Sequence, residues 1–166
     1  MLDRIAGSIY GRSRSVHYRH RYLTYCNRDE VHTSFGFNGT DIRLYGDGEI
    51  FLGKKSYMGT NATLQSAEGC KVVIGKRCQI SHNVRIYTAS ADPNQDFTKE
   101  KVKPNKLGDV IIGNGVWIRA NVFINPNITI GNNTVVGANS VVTKDIPDNA
   151  IYGGVPARLI KYKRFE

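Results

Sequence analysis

The chain has little with which to build a metal or redox framework. Its three cysteines, Cys26, Cys70 and Cys78, show no C-x-x-C spacing. That leaves neither a disulfide scaffold nor a zinc site, and no metal site is expected. There is no apolar run of signal-peptide or membrane-span length, so a cytoplasmic location is expected. Acidic residues are few: 14 Asp and Glu stand against 23 Lys and Arg, a formal charge of +9. Such an excess suits an anionic partner (nucleotide phosphates, an acidic glycan or, as a peripheral contact, a membrane surface), or it is simply a basic soluble surface. Nucleic acid is not expected, because the basic residues lie at both ends and in a loop with no aromatic platform or binding motif between them. Histidine is scarce as well. His17, His20 and His32 fall near the N-terminus, which leaves His82 alone in the patterned part of the chain.

What is present is a beat of six. From Ile112 an aliphatic residue falls on every sixth position: Ile118, Ile124, Ile130, Val136 and Val142. Four places after each anchor comes a small or β-branched residue: Val116, Val122, Ile128, Thr134 and Ser140. A period of six is neither the alternation of an isolated strand nor the stripe of a helix. It belongs to a stacked all-β solenoid in which each unit is a short strand and its corner. A weaker copy precedes it in Leu52, Met58 and Leu64 and in Ile74, Ile80 and Ile86. With three units to a triangular coil, the coils are read as 52–67, 74–91, 112–129 and 130–147. Leu52 then stacks on Ile74 and Met58 on Ile80.

The register skips between Thr88 and Asp109. The segment TASADPNQDFTKEKVKPNKLGD is polar and lysine-rich, and an excursion of this length reads as a protruding loop over about 88–109 with a functional purpose. At 166 residues the chain is expected to form a single domain. Its expected parts are an N-terminal cap over 1–40, a prism over 50–147 and a C-terminal cap over 148–166, since solenoids need polar ends. Gly153–Gly154 marks a turn, and Pro156 is read as opening a short C-terminal helix.

The stretch GDVIIGNGVWIRANVFINPNITIGNNTVVGANSVVTKDIPDNAIYGGVPARLIKY resembles the C-terminal half of the hexapeptide-repeat acyltransferases. Within these it is most similar to the maltose and galactoside O-acetyltransferases and to those of capsule and O-antigen assembly. The resemblance implies a left-handed parallel β-helix, an exception to the right-handed crossover preference. It also implies a homotrimer with acetyl-CoA as co-substrate, and transfer of acetyl to a hydroxyl or amine of a sugar acceptor in surface polysaccharide biosynthesis. The family's CoA contacts fall on Ala120, Ala138, Thr143, Lys144, Arg158 and Lys161. Small side chains there let pantetheine reach backbone groups, and the basic ones can pair with phosphates. Arg119 stands where the family usually has glycine.

The catalytic pattern departs from the family. The motif Tyr-Thr-x-x-His, whose histidine is the general base, reads Tyr87-Thr88-Ala89-Ser90-Ala91 here. The asparagine that contacts the acceptor falls on Gly59. Another residue is the base, or Ala91 is itself a substitution for the native residue, or the chain is a non-catalytic β-helix, a binding or scaffold protein. His82 is the leading catalytic candidate because the stacking sets it beside Gly59. Asp92 and Asp96 are weaker, since a solvated carboxylate is a poor base for an alcohol. Asn61 and Asn83, stacked on adjacent coils, either bind the acceptor or form a structural ladder.

Overall fold

The computed structural model describes residues 2–100 and 104–165. One helix, α1 (Leu2–Arg28), precedes a run of short strands wound into a parallel solenoid. The first coil is β1 (Glu30–Val31), β2 (Gly36–Asn38) and β3 (Arg43–Tyr45). The second is β4 (Glu49–Leu52), β5 (Tyr57–Gly59) and β6 (Thr63–Gln65), and the third is β7 (Lys71–Ile74), β8 (Gln79–Ile80) and β9 (Arg85–Tyr87). The chain then leaves as a loop pinned by an antiparallel pair, β10 (Ala89–Ser90) and β11 (Lys106–Leu107). It returns in β12 (Val110–Ile112), β13 (Trp117–Ile118) and β14 (Phe123–Ile124), followed by β15 (Ile128–Ile130), β16 (Val135–Val136) and β17 (Val141–Val142). A final pair, β18 (Ala150–Gly153) and β19 (Arg158–Tyr162), closes the far end.

Each face of the prism is one parallel sheet. Face one stacks β1, β4, β7, β12 and β15; face two stacks β2, β5, β8, β13, β16 and β18; face three stacks β3, β6, β9, β14 and β17. The repeat anchors are the inward columns of these faces. Leu52 pairs with Ile74 and Met58 with Ile80, the stacking that the hexads predict. Ile80, Ile118, Ile86 and Ile124 are fully buried, and Val116, Val122, Thr134 and Ser140 fill the corners between columns. Each buried aliphatic side chain contributes about 1.5–3 kcal/mol. The coils are joined by backbone hydrogen bonds of one rung to the next, such as Gln79 N–H to Val116 O at 2.8 Å and Trp117 N–H to Thr134 O at 2.9 Å.

The turn from face two to face three needs a left-handed residue in every coil. Asp41, Asn61, Asn83, Asn121 and Asn139 supply it with φ between 56° and 60°, a region asparagine tolerates better than other side chains. Asn83 Nδ2 donates to Asn121 Oδ1 at 2.9 Å, and Asn121 Nδ2 to Asn139 Oδ1 at 3.0 Å. This is a structural ladder, and Asn61 stands in its column one coil below Asn83. Asn121→Ala is expected to cost about 1–3 kcal/mol, losing both ladder bonds and the tolerance of positive φ. Asn121→Gly, free to take that φ, should cost less. Chemical denaturation checks both; wild-type stability in the alanine variant would contradict the role given to the ladder.

Two expectations are corrected at the ends. The prism begins at Glu30 and not near 50, because residues 30–45 form a complete first coil under α1. Its anchors Val31 and Phe37 keep the beat, but an extra residue in the Gly39–Asp41 corner sets Leu44 one place late. Tyr18, Tyr22 and Tyr25, at helical spacing, lay α1 across the open base. Tyr22 stacks on Phe37 at 4.6 Å and donates its hydroxyl to Gly39 O at 2.7 Å.

At the far end the described residues form no short C-terminal helix. Arg158–Tyr162 is a strand that returns antiparallel to β18. As the last rung of face two, β18 would otherwise present an unpaired edge, and β19 satisfies its backbone groups. Gly154, at φ +100°, makes the turn.

Candidate active site

The third face and its two corners gather most of the residues singled out in the sequence. Ala120 and Ala138 occupy the face-two-to-three corner in consecutive coils, joined where Asn139 N–H donates to Ala120 O at 3.0 Å. Thr143 and Lys144 lie exposed at the opposite corner, just after β17. The β18–β19 hairpin brings Arg158 opposite Gly153, and Ala157 N–H donates to Val141 O at 2.8 Å. Arg158 therefore lies over the end of face three near Ala138. Lys161 pairs with Ile151, further along face two. Arg119 does not cross the Ala120 corner. Its guanidinium lies over the Trp117 ring at 5.3 Å on face two, where a cation is attracted to the indole.

The loop leaves and re-enters at the Thr143–Lys144 corner. Between them runs a cavity of about 680 Å³ lined by Ser90, Lys106, Asn125, Thr143 and Lys144 among others. Ala91 is exposed at its root, one residue past β10. Asp92 pairs with Lys106 at 3.2 Å, an ion pair that ties the two limbs of the loop together. Asp96 accepts from the Thr98 hydroxyl at 2.6 Å and from the Thr98 amide at 3.0 Å. Those bonds hold its carboxyl below the ordinary range, which makes it a still weaker base than a free carboxylate.

His82 lies exposed at the far corner of the third coil. Its Nδ1 accepts the Thr60 amide N–H at 3.0 Å. A neutral ring held this way carries its proton on Nε2 and presents a donor there. Gly59 lies directly beneath, and a Cβ at that position would come within 2.7 Å of Nδ1. The absence of a side chain at Gly59 is thus what gives the imidazole its place. Gly59→Asn should push the ring off the Thr60 amide. A crystal structure of that variant with the His82 Nδ1 contact retained would contradict this packing.

A second concave region escaped the sequence reading. On the outer side of face three, in the first three coils, a groove of about 640 Å³ is lined by Arg43, Tyr45, Thr63, Arg85 and Tyr87, with Asp41, Asn61 and Asn83 along one edge. The signal was available: Arg43-Leu44-Tyr45 recurs as Arg85-Ile86-Tyr87 two coils later.

The bacterial transferase hexapeptide (six repeats) family matches residues 109–144. A maltose O-acetyltransferase from Clostridium difficile 630 is 34% identical, with a TM-score of 0.62 over 80% of this chain and 72% of its own. The chain belongs to the hexapeptide-repeat acetyltransferase family. A hexapeptide-repeat acetyltransferase from Vibrio cholerae O1 biovar eltor, solved in complex with acetyl-CoA, superposes with a TM-score of 0.71 at 26% identity over 89% of this chain and 79% of its own. With that likeness, the solenoid matches the left-handed β-helices of the family. The polysialic acid O-acetyltransferase of Escherichia coli O1:K1 is 35% identical over 131 residues, 79% of this chain and 42% of that protein. The chain spans between 38% and 64% of the length of these curated relatives. No described helix is long and apolar enough to cross a membrane.

Proposed function

We propose that this hexapeptide-repeat protein moves an acetyl group from acetyl-CoA to a hydroxyl or amine of a sugar, in the making of a surface polysaccharide or its precursor. The observation that carries the reading is the edge of face three. Ala120 and Ala138 leave room along one corner of that face for an extended pantetheine arm, Arg158 lies over its end, and Thr143 and Lys144 stand at its other corner. Lys144 and Arg158 supply charge for the phosphates of CoA, with Lys161 further out. Family membership and a relative solved with acetyl-CoA support the same cofactor. A homotrimer, in which neighbouring prisms form a cleft around the cofactor, goes with the proposal.

The acceptor nucleophile attacks the thioester carbonyl, the C–S bond breaks, and the proton lost by the acceptor ends on the departing CoA sulfur. A hydroxyl needs a base for this, whereas a neutral amine is nucleophilic without one. With Ala91 at the family's base position and His82 presenting an Nε2 donor, the geometry favours an amino sugar as the faster acceptor. His82 remains the residue assigned to the acceptor corner. There it donates to the sugar, and it accepts a proton only after releasing the Thr60 amide.

Release of free thiol from acetyl-CoA, followed with amino sugars and neutral sugars in parallel, tests the proposal. Turnover should be measurable and faster with the amine, rising with pH as the amine loses its proton near pH 8, by analogy with an α-amino group. His82→Ala should lower turnover at least tenfold while leaving thermal stability and CoA binding intact. A purified chain that binds CoA yet transfers to no sugar would favour the non-catalytic reading that Ala91 also permits; one that binds no CoA would remove the acyl-transfer reading and leave only a scaffold.

A further inference from the structure

We infer that the groove on the outer side of face three is a binding site for an anionic sugar, one that carries phosphate or carboxylate. As the acceptor site of the acyl transfer it rests on the proposed function; as a binding site it stands without it.

Arg43 pairs with Thr63, and Thr63 with Arg85, so the two arginines point out of the same column with a threonine between them. Two strand spacings put their backbones about 9–10 Å apart. Both side chains are exposed. Among the described residues neither guanidinium has an ion pair or a side-chain hydrogen bond. Like charges in one column oppose each other, and an anion seated over Thr63 relieves that opposition. Guanidinium forks are the groups best shaped to hold phosphate or carboxylate, and at this separation both arms reach the same group.

The flanks suit a sugar. Two residues further on in each strand are Tyr45 and Tyr87, which give a ring an apolar face to lie on and hydroxyls to bond. Tyr87 is braced edge-on by Phe123 at 5.3 Å. On the other flank are the side-chain amides of Asn61 and Asn83. Asn83 spends an N–H on Asn121 and keeps its carbonyl oxygen as an acceptor for a hydroxyl. The one carboxylate in the lining, Asp41, accepts the Tyr18 hydroxyl at 2.7 Å and is thereby tied to α1. The groove's formal charge is still positive.

Position links the groove to the cofactor edge. The asparagine ladder that begins beside it runs up to Ala120 and Ala138. Tyr87 is the last residue before the chain turns out into the loop that carries Ala91. A sugar anchored by Arg43 and Arg85 therefore lies on the same face as the expected thioester, in the coils just below it.

The test is equilibrium binding to the full chain. The probes are a uridine diphosphate sugar and an oligomer of hexuronic acid, each set against its uncharged counterpart, with CoA titrated separately. One acidic probe should bind at least tenfold more tightly than its neutral partner, and which one it is distinguishes phosphate from carboxylate. Arg43→Gln and Arg85→Gln should each weaken that binding about tenfold, or more, for loss of a charge-assisted contact, and raised salt should weaken it too. Lys54→Gln, at a distant corner, should change nothing, and CoA affinity should be untouched in all three variants. Equal binding of acidic and neutral probes, or wild-type binding in both arginine variants, would overturn the inference. Arginine-dependent binding of an acidic sugar by a chain that binds no CoA would leave the groove standing and remove the acyl-transfer reading.

Discussion

Replacing Ala91 by histidine will raise acetyl transfer to sugar hydroxyls by about 10²–10⁴-fold, the usual contribution of a positioned general base. Ala91 is exposed at the root of the loop, beside the cavity that Thr143 and Lys144 line, so the new ring enters open space and displaces no core atom. Transfer to an amine should change far less, because a neutral amine attacks without losing its proton first. The ratio of hydroxyl to amine rates should therefore shift towards the hydroxyl. A pH profile of the variant should show hydroxyl transfer rising as the new imidazole becomes neutral, near its reference pKa of about 6.5. An unchanged hydroxyl rate in a stably folded variant would mean that the third-coil corner is not where the acceptor reacts.

The largest effect on stability is expected at Ile118. This side chain is fully buried, stacked between Ile80 and Val136 in the face-two column. Ile118→Ala removes three carbons from a position with no solvent nearby and should cost about 2–5 kcal/mol. Ile118→Leu, which keeps the volume, should cost less than about 1.5 kcal/mol. Trp117→Ala, one residue away and pointing outward, should cost less than Ile118→Ala even though a larger side chain is lost. In a solenoid each rung touches only its neighbours, so the same loss in a terminal coil should be milder. Denaturant titration of the three variants checks the order; equal losses at 117 and 118 would contradict the inward–outward assignment.

How much was legible in the sequence follows from how regular each part is. From Ile112 to Val142 every coil has the same length, so one period gives the register, the inward columns and the small corner residues together. That register, carried back, also placed Gly59 beneath Ser81 and next to His82, where the structure has them. It failed at Leu44 because a single extra residue in one corner shifts the phase, and the first coil was absorbed into the cap. The groove built on Arg43 and Tyr45 was lost with it. Pro156 misled for a different reason. A proline after two glycines fits a helix start as well as a hairpin turn, and the unpaired edge of β18, invisible in sequence, decides between them.

Site chemistry was less legible still. Ala120, Ala138, Thr143, Lys144 and Arg158 stand out because the motifs around them are specific; the fold sets Ala120 and Ala138 at one corner of face three, Thr143 and Lys144 at the other, and Arg158 over its end. The tautomer of His82 depends on the Thr60 amide, a contact twenty-two residues away that no local pattern records. The path of Arg119 likewise depends on Trp117 taking its guanidinium onto the outer surface of face two.

The most direct test of the account is a crystal structure with CoA bound. The pantetheine arm should run along the Ala120–Ala138 edge, with its phosphates within reach of Lys144 and Arg158 and its sulfur directed towards the corner of the third coil that holds His82. A CoA molecule held on another face, or an edge that stays empty at saturating CoA, would contradict it.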